Sequence, residues 1–287
     1  MQIAVKRTGR AVVDDFDGNE DLIRGMILGH KRPPALVKHL PDDFFYNSLA
    51  KRIRMTPLLD DASLIVNGAS GGQTAETWDS PNDPNYTRVR DQNLARAGVT
   101  EKQVQVAWLK VANPRPTTSL PAENADAYQL IRQMGDIARA MKVRYPNLGL
   151  VYVSSRIYAG YATTTLNPEP YAYESGLSVK LLVEAQIDQM RRGNVDPRAG
   201  NLDYRSGVAP WLAWGPYLWA NDGIPRAGDG LTWQLSDLAA DGTHPSQSGQ
   251  EKVGALLLQF FKNEVTTRPW FLKERQERRR GVRRGAG

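Results

Sequence analysis

Asp241 stands three residues before His244 in the segment Asp241-Gly242-Thr243-His244-Pro245-Ser246, so one turn can present a carboxylate and an imidazole together. A histidine acting as general base needs a carboxylate to fix its tautomer and to stabilise the imidazolium formed during acyl transfer. The same short pattern also describes a polar turn ahead of a helix, and its weight depends on what accompanies it. Two loops accompany it. The run Leu64-Ile65-Val66 breaks into Asn67-Gly68-Ala69-Ser70-Gly71-Gly72-Gln73-Thr74, as a buried strand does when it empties at a sheet edge. Glycines there let backbone N–H groups approach a ligand and adopt φ > 0 without steric cost. A second strand-like run, Val104 to Ala112, ends in Asn113, whose amide can donate to a developing oxyanion.

The elements that must position these groups alternate along the chain. Strands are expected at 63–67, 103–110 and 148–154, and helices near 85–97, 122–144, 174–192 and 249–263. Tyr128, Ile131, Met134, Ile137, Ala138 and Met141 recur at three- and four-residue steps, the stripe of a helix packed on a sheet. Ser248 and Glu251 have capping-box spacing ahead of Val253, Leu256, Leu257, Phe260 and Phe261. The alternation predicts an α/β fold, a mostly parallel sheet flanked by helices. Ligands bind such sheets beyond the carboxyl ends of the strands. Gly72, Asn113 and the Ser154-Ser155-Arg156 turn all fall at those ends.

In this order the segments resemble the SGNH (GDSL-type) hydrolase superfamily, and more closely a bacterial subgroup of it. The likeness runs from about Leu64 to Leu272. It includes Ser154-Ser155-Arg156-Ile157-Tyr158-Ala159-Gly160-Tyr161, Glu169-Pro170-Tyr171-Ala172-Tyr173-Glu174 and Trp211 to Trp219. The resemblance implies a flavodoxin-like three-layer sandwich and a serine esterase. It puts Gly72 and Asn113 in the oxyanion hole, and Asp241 and His244 in the catalytic dyad. It also implies a nucleophile in a Gly-Met-Ser-Asn type segment after an apolar first strand. Here Gly25-Met26 is followed by Ile27-Leu28-Gly29-His30, and the first serine in the chain is Ser48. Three explanations stand. The N-terminal region is misread or truncated relative to its relatives; another serine, with Ser70 nearest the oxyanion loop, has taken over; or the chain binds a ligand without turning it over.

The segment 1–62 reads as poorly defined, with an altered first strand. Lys31-Arg32-Pro33-Pro34 interrupts it, and only Phe44 to Leu59 hints at a helix. Residues 63–270 read as the hydrolase-like domain and 271–287 as a disordered basic tail. In that tail Lys273, Arg275, Arg278, Arg279, Arg280, Arg283 and Arg284 oppose Glu274 and Glu277, so it carries five of the six net positive charges. The near-neutral body has no basic stripe, and no specific nucleic-acid partner is expected.

Apolar content of 41% suffices for a core, and charged content of 24% is ordinary for a soluble protein. No apolar run approaches the roughly 18–20 residues that span a bilayer. Met1 to Gly18 has no apolar signal region, and localisation stays open. With no cysteine, and with His30, His39 and His244 scattered, neither a metal nor a cofactor is expected. The stretch 154–223 crowds aromatics around Arg156, Glu169 and Glu174. Aromatic faces with a few directed polar groups hold sugar rings or aromatic acyl groups, and Arg156, Tyr158 and Trp214 are the candidate substrate contacts. The expected function is therefore an esterase acting on an O-acylated carbohydrate or similar small-molecule ester. The alternative is a non-catalytic carbohydrate-binding relative.

Overall fold

The structure is a computed structural model and describes residues 2–6, 52 and 63–272. Five strands, β1 (Gln2–Lys6), β2 (Ser63–Asn67), β3 (Val104–Leu109), β4 (Leu150–Val153) and β5 (Trp211–Trp214), form one sheet. Their spatial order is β2-β1-β3-β4-β5. β3, β4 and β5 pair in parallel, while β1 pairs antiparallel with both β2 and β3. β2 therefore runs the same way as β3, and the carboxyl ends of β2, β3, β4 and β5 share one edge. The helices are α1 (Pro84–Arg88), which runs on through a π-helical turn at Val89–Leu94, α2 (Asp126–Arg144), α3 (Tyr171–Arg192), α4 (Gln247–Asn263) and α5 (Arg268–Phe271). This is the expected α/β alternation with a mostly parallel sheet. Among the described residues no helix is long and apolar enough to cross a membrane.

Alternate residues of the central strands feed two apolar clusters. Ala107, Leu109, Val151, Val153 and Leu212 pack with Met134, Ile137 and Met141 of α2 and Val179, Leu182 and Val183 of α3. Val106, Trp108, Leu150 and Tyr152 pack with Val253, Leu257 and Phe261 of α4 and with Trp270 and Phe271 of α5. Strands buried on both faces read as near-continuous apolar runs, which is why β3 and β4 were legible in the sequence. Each fully buried Ile, Leu, Met or Val here contributes about 1.5–3 kcal/mol through removal from water. Ala4 pairs with Val106 but Val5 with Val104, so Gln105 is an unpaired bulge residue. The bulge turns Val104 toward the same cluster as Ala107.

Three expectations are corrected. The segment 1–62 was read as poorly defined with an altered first strand, yet Gln2–Lys6 pairs as a regular strand in the middle of the sheet, antiparallel to both neighbours. Its five residues are too few to set up a period, and a charged run follows them. The rest of that segment, including the helix suggested at 44–59 and Ser48, lies outside the described residues apart from Arg52. Second, the capping box at Ser248 and Glu251 does not form, because α4 begins two residues earlier than expected, with Ser246 at the N-cap. Ser248 Oγ donates instead to the Ser236 carbonyl (3.1 Å) and to Asp237 Oδ1 (2.9 Å). Glu251 accepts from Gln247 Nε2 at 3.3 Å. Third, Phe271 was assigned to the tail but is buried at the end of α5. Residues 273–287, with all of the tail's charged side chains, lie outside the described residues.

Candidate active site

The loop after β2 is held from below and open above. Ala69 N–H donates to the Asn67 side chain (2.9 Å), Asn93 Nδ2 to the Asn67 carbonyl (2.8 Å), and an Arg88 guanidinium N–H to the Gly68 carbonyl (2.8 Å). Ala75 N–H donates to the Ala112 carbonyl at 2.9 Å, tying this loop to the one after β3. Gly72 sits at φ 71°, where L side chains are strained. Among the described residues the Gly72 N–H makes no hydrogen bond, and it stands exposed at the rim.

Asn113 is buried at the start of the β3 loop. Its Nδ2 donates to the Asp126 carbonyl of α2 at 2.6 Å, while its Oδ1 is buried without a partner. An amide nitrogen carries two protons, so one remains for a ligand. Asn167, in the left-handed region at φ 61°, donates its side-chain amide to the Asn113 carbonyl and braces that loop.

The Asp241–His244 turn forms as the spacing predicts. His244 Nδ1 lies 2.5 Å from Asp241 Oδ2, and Asp241 Oδ1 accepts the N–H groups of His244 (3.0 Å) and Thr243 (3.1 Å). Burial pushes the Asp241 carboxyl up, but these N–H groups and the imidazole outweigh it and hold it below the usual carboxylate range. With Nδ1 on the carboxylate, Nε2 is the ring nitrogen that carries the basic lone pair. The turn is pinned where it crosses the 161–163 segment. Thr163 N–H donates to the Asp241 carbonyl at 3.0 Å, and a Cβ on Gly242 would lie 1.9 Å from the Tyr161 carbonyl oxygen. Only glycine fits there. Ala239 N–H closes the turn on the His244 carbonyl at 2.7 Å.

These parts meet in one cleft of about 300 Å³ at the carboxyl edge of the sheet. Its lining includes Ser70, Gly72, Asn113, Arg156, Asn167 and His244. Six of the eight site residues expected from the sequence are thus brought together, counting Asp241 through its bond to His244. The other two are not. Tyr158 stacks edge-on against Tyr161 and Trp219, and Trp214 is 44% exposed at the end of β5. Neither lines the cleft, so the expectation that they contact substrate there is corrected. Aromatic crowding in sequence does not say which rings share a surface. The cleft instead takes its rings from Trp78 and Trp108, which sequence reasoning did not single out. Asn167 was also missed. Its signal was an asparagine before proline, a residue that tolerates the left-handed region.

A base held by a carboxylate, backbone and amide donors opposite it, and a hydroxyl on the donor loop make up the parts of acyl transfer. No protein-family model, curated protein or solved structure matches the chain.

Proposed function

We propose that this chain is an SGNH-type hydrolase relative that cleaves an ester, with O-acylated carbohydrates as the substrate class. The observation that carries the proposal is the single cleft that gathers Gly72, Asn113 and the carboxylate-bonded His244. The strand order 2-1-3-4-5, shared with flavodoxin-like sheets, and the two apolar clusters on opposite faces of the strands support the three-layer arrangement that this family implies. In the intact mechanism His244 removes a serine proton, the serine oxygen attacks the ester carbonyl, and Asp241 stabilises the imidazolium. The Gly72 N–H and the second Asn113 N–H bind the oxyanion. His244 then protonates the leaving alcohol, and water repeats the sequence to release the acid. Ser70 is the candidate nucleophile because it is the serine among the cleft-lining residues.

One observation favours the second reading, a ligand-binding relative without turnover. Ser70 sits on the donor loop itself, two residues before Gly72, where a nucleophile and the oxyanion donors compete for the same side of the carbonyl. Treatment of the protein with a fluorophosphonate probe, peptide mapping and an aryl-acetate assay separate the two. Labelling at one serine, with hydrolysis abolished by His244→Ala, supports the hydrolase. Neither labelling nor hydrolysis supports the binder.

A further inference from the structure

Arg156 is a cation that the fold builds into the cleft wall without a partner among the described residues. It lines the cleft beside Asn113, Asn167 and His244. Its Nε is buried, and among the described residues its guanidinium makes no hydrogen bond or ion pair. The backbone beneath it is anchored at three consecutive residues. The Trp108 indole N–H donates to Ser154 Oγ at 2.8 Å, Leu218 N–H to Ser155 Oγ at 3.0 Å, and Arg156 N–H to Ser175 Oγ at 2.9 Å. Ser154, Ser155 and Ser175 are all buried. The main chain that carries the guanidinium is therefore fixed in place.

A guanidinium whose Nε is shut off from water without a partner is costly, and the cost is recovered when an anion binds it. Burial draws the Arg156 pKa down to about 10, which still leaves it protonated at neutral pH. Glu169 and Asp241 act on it through space, but both carboxylates are engaged elsewhere. Glu169 accepts from the N–H groups of Ala159 (3.1 Å) and Tyr173 (2.9 Å) and from the Trp219 indole (2.8 Å). Asp241 holds His244.

We propose that Arg156 forms an anion subsite for a carboxylate on the cleft's ligand, which makes that ligand a carboxylate-bearing ring compound such as a sugar acid. A guanidinium fork matches a carboxylate two N–H groups at a time. Lys110 also lines the cleft; at Arg156 itself a phosphate dianion would bring its second charge toward Glu169 and Asp241, so a single charge is favoured there. The apolar walls, Trp78, Trp108, Val111, Ile157, Leu166 and Pro245, suit the face of one ring, and the volume suits little more. The inference rests on the proposal that this cleft is the ligand site, and not on turnover.

The test titrates the full chain with D-glucuronate and benzoate, with glucose, benzamide and inorganic phosphate as comparisons. Tryptophan fluorescence reads binding, because Trp78 and Trp108 line the cleft. At least one carboxylate is expected to bind about tenfold or more tightly than its neutral counterpart and than phosphate, and Arg156→Met is expected to abolish that preference. The variant is expected to melt no lower than wild type, because it removes an unpaired desolvated charge. Equal binding of neutral and carboxylate partners, tighter binding of phosphate, no carboxylate binding, or an unchanged preference in Arg156→Met overturns the proposal. If Arg156→Met fails to fold, Arg156→Lys decides, since it keeps the charge and loses the fork; carboxylate binding as tight as wild type then overturns it. Arg156-dependent carboxylate binding without ester hydrolysis sinks the hydrolase alone. Hydrolysis of neutral and carboxylate-bearing esters at equal kcat/KM sinks this inference alone.

Discussion

Gly242→Ala and Gly72→Ala place the same methyl group on two glycines with nearly the same backbone, φ 64° and φ 71°. Only the surroundings differ. At Gly72 nothing lies within 4 Å of the added Cβ, whereas at Gly242 the Tyr161 carbonyl oxygen lies at 1.9 Å and its carbon at 2.4 Å. The obstacle is backbone, so no rotamer change relieves it, and the two segments must part by about 1 Å before the contact reaches even 3.0 Å. Both variants carry about 1–2 kcal/mol of left-handed strain. Gly242→Ala adds about 1–3 kcal/mol of overpacking, and about 1 kcal/mol more if the 3.0 Å bond from Thr163 N–H to the Asp241 carbonyl is lost. The expected destabilisation is about 1–2 kcal/mol for Gly72→Ala and about 3–5 kcal/mol for Gly242→Ala. At about 2–4 °C per kcal/mol the two midpoints should separate by roughly 5–10 °C. Differential scanning calorimetry with urea melts on both variants reads this directly. Equal midpoints for the two would refute the claim that the 161–163 segment clamps the Asp241–His244 turn.

Two further outcomes follow from buried titratable groups. Lys252 Nζ lies 2.5 Å from the buried carboxylate of Asp237. Burial raises that carboxyl, but hydrogen bonds from Lys252, Gln234 and Ser248 leave it net lowered. Its contribution is therefore present above the unfolded value of about 3.9 and lost as pH falls through the folded one. Lys252→Met should cost about 2–3 kcal/mol near neutral pH, the lower end for a buried pair because the lysine is partly exposed, and should move acid unfolding to higher pH. Urea melts across pH check both; an unchanged acid midpoint contradicts the pairing. Tyr86, Tyr145 and Tyr152 are fully buried, and burial raises all three phenols. The native state holds their protons longer than the unfolded chain, so stability is complete below about pH 10 and falls as pH rises from there toward the folded values. Their phenolate absorbance should appear together with loss of circular dichroism, and full ionisation in a still-folded protein would refute it.

What the sequence made legible was local. Asp241 and His244 are three residues apart and bond within one turn, so their pairing could be read without the fold. Gly72 and Asn113 were found because each follows an apolar run whose end is also the end of a strand. Distant pairings left no such mark. Asn167 braces Asn113 across 54 residues, and Trp108 looks like any core residue of β3 although it also lines the cleft. β5 was hidden by its length, since Trp211–Trp214 has four residues, too few to establish a period of two. The Ser248–Glu251 spacing misled because Ser236 and Asp237, twelve and eleven residues upstream, compete for the same hydroxyl.

The direction of β1 bears on where a nucleophile can come from. In an all-parallel sheet the strand between β2 and β3 would end at the carboxyl edge and deliver its following residue into the cleft. Here Gln2 opposes Asn67 and Trp108 at that edge, and Lys6 opposes Ser63 at the other. β1 therefore points its carboxyl end, Lys6, away from the edge where His244 lies. The central slot is filled, its backbone groups pair on both flanks, and the sheet needs no serine there to be stable. The strand that closes the sheet is thus separated from the task of carrying the nucleophile. Turnover by this chain requires a serine from another loop, and among the described residues that line the cleft that serine is Ser70. Robust ester hydrolysis that survives Ser70→Ala but not His244→Ala would show that the attacking oxygen is not Ser70.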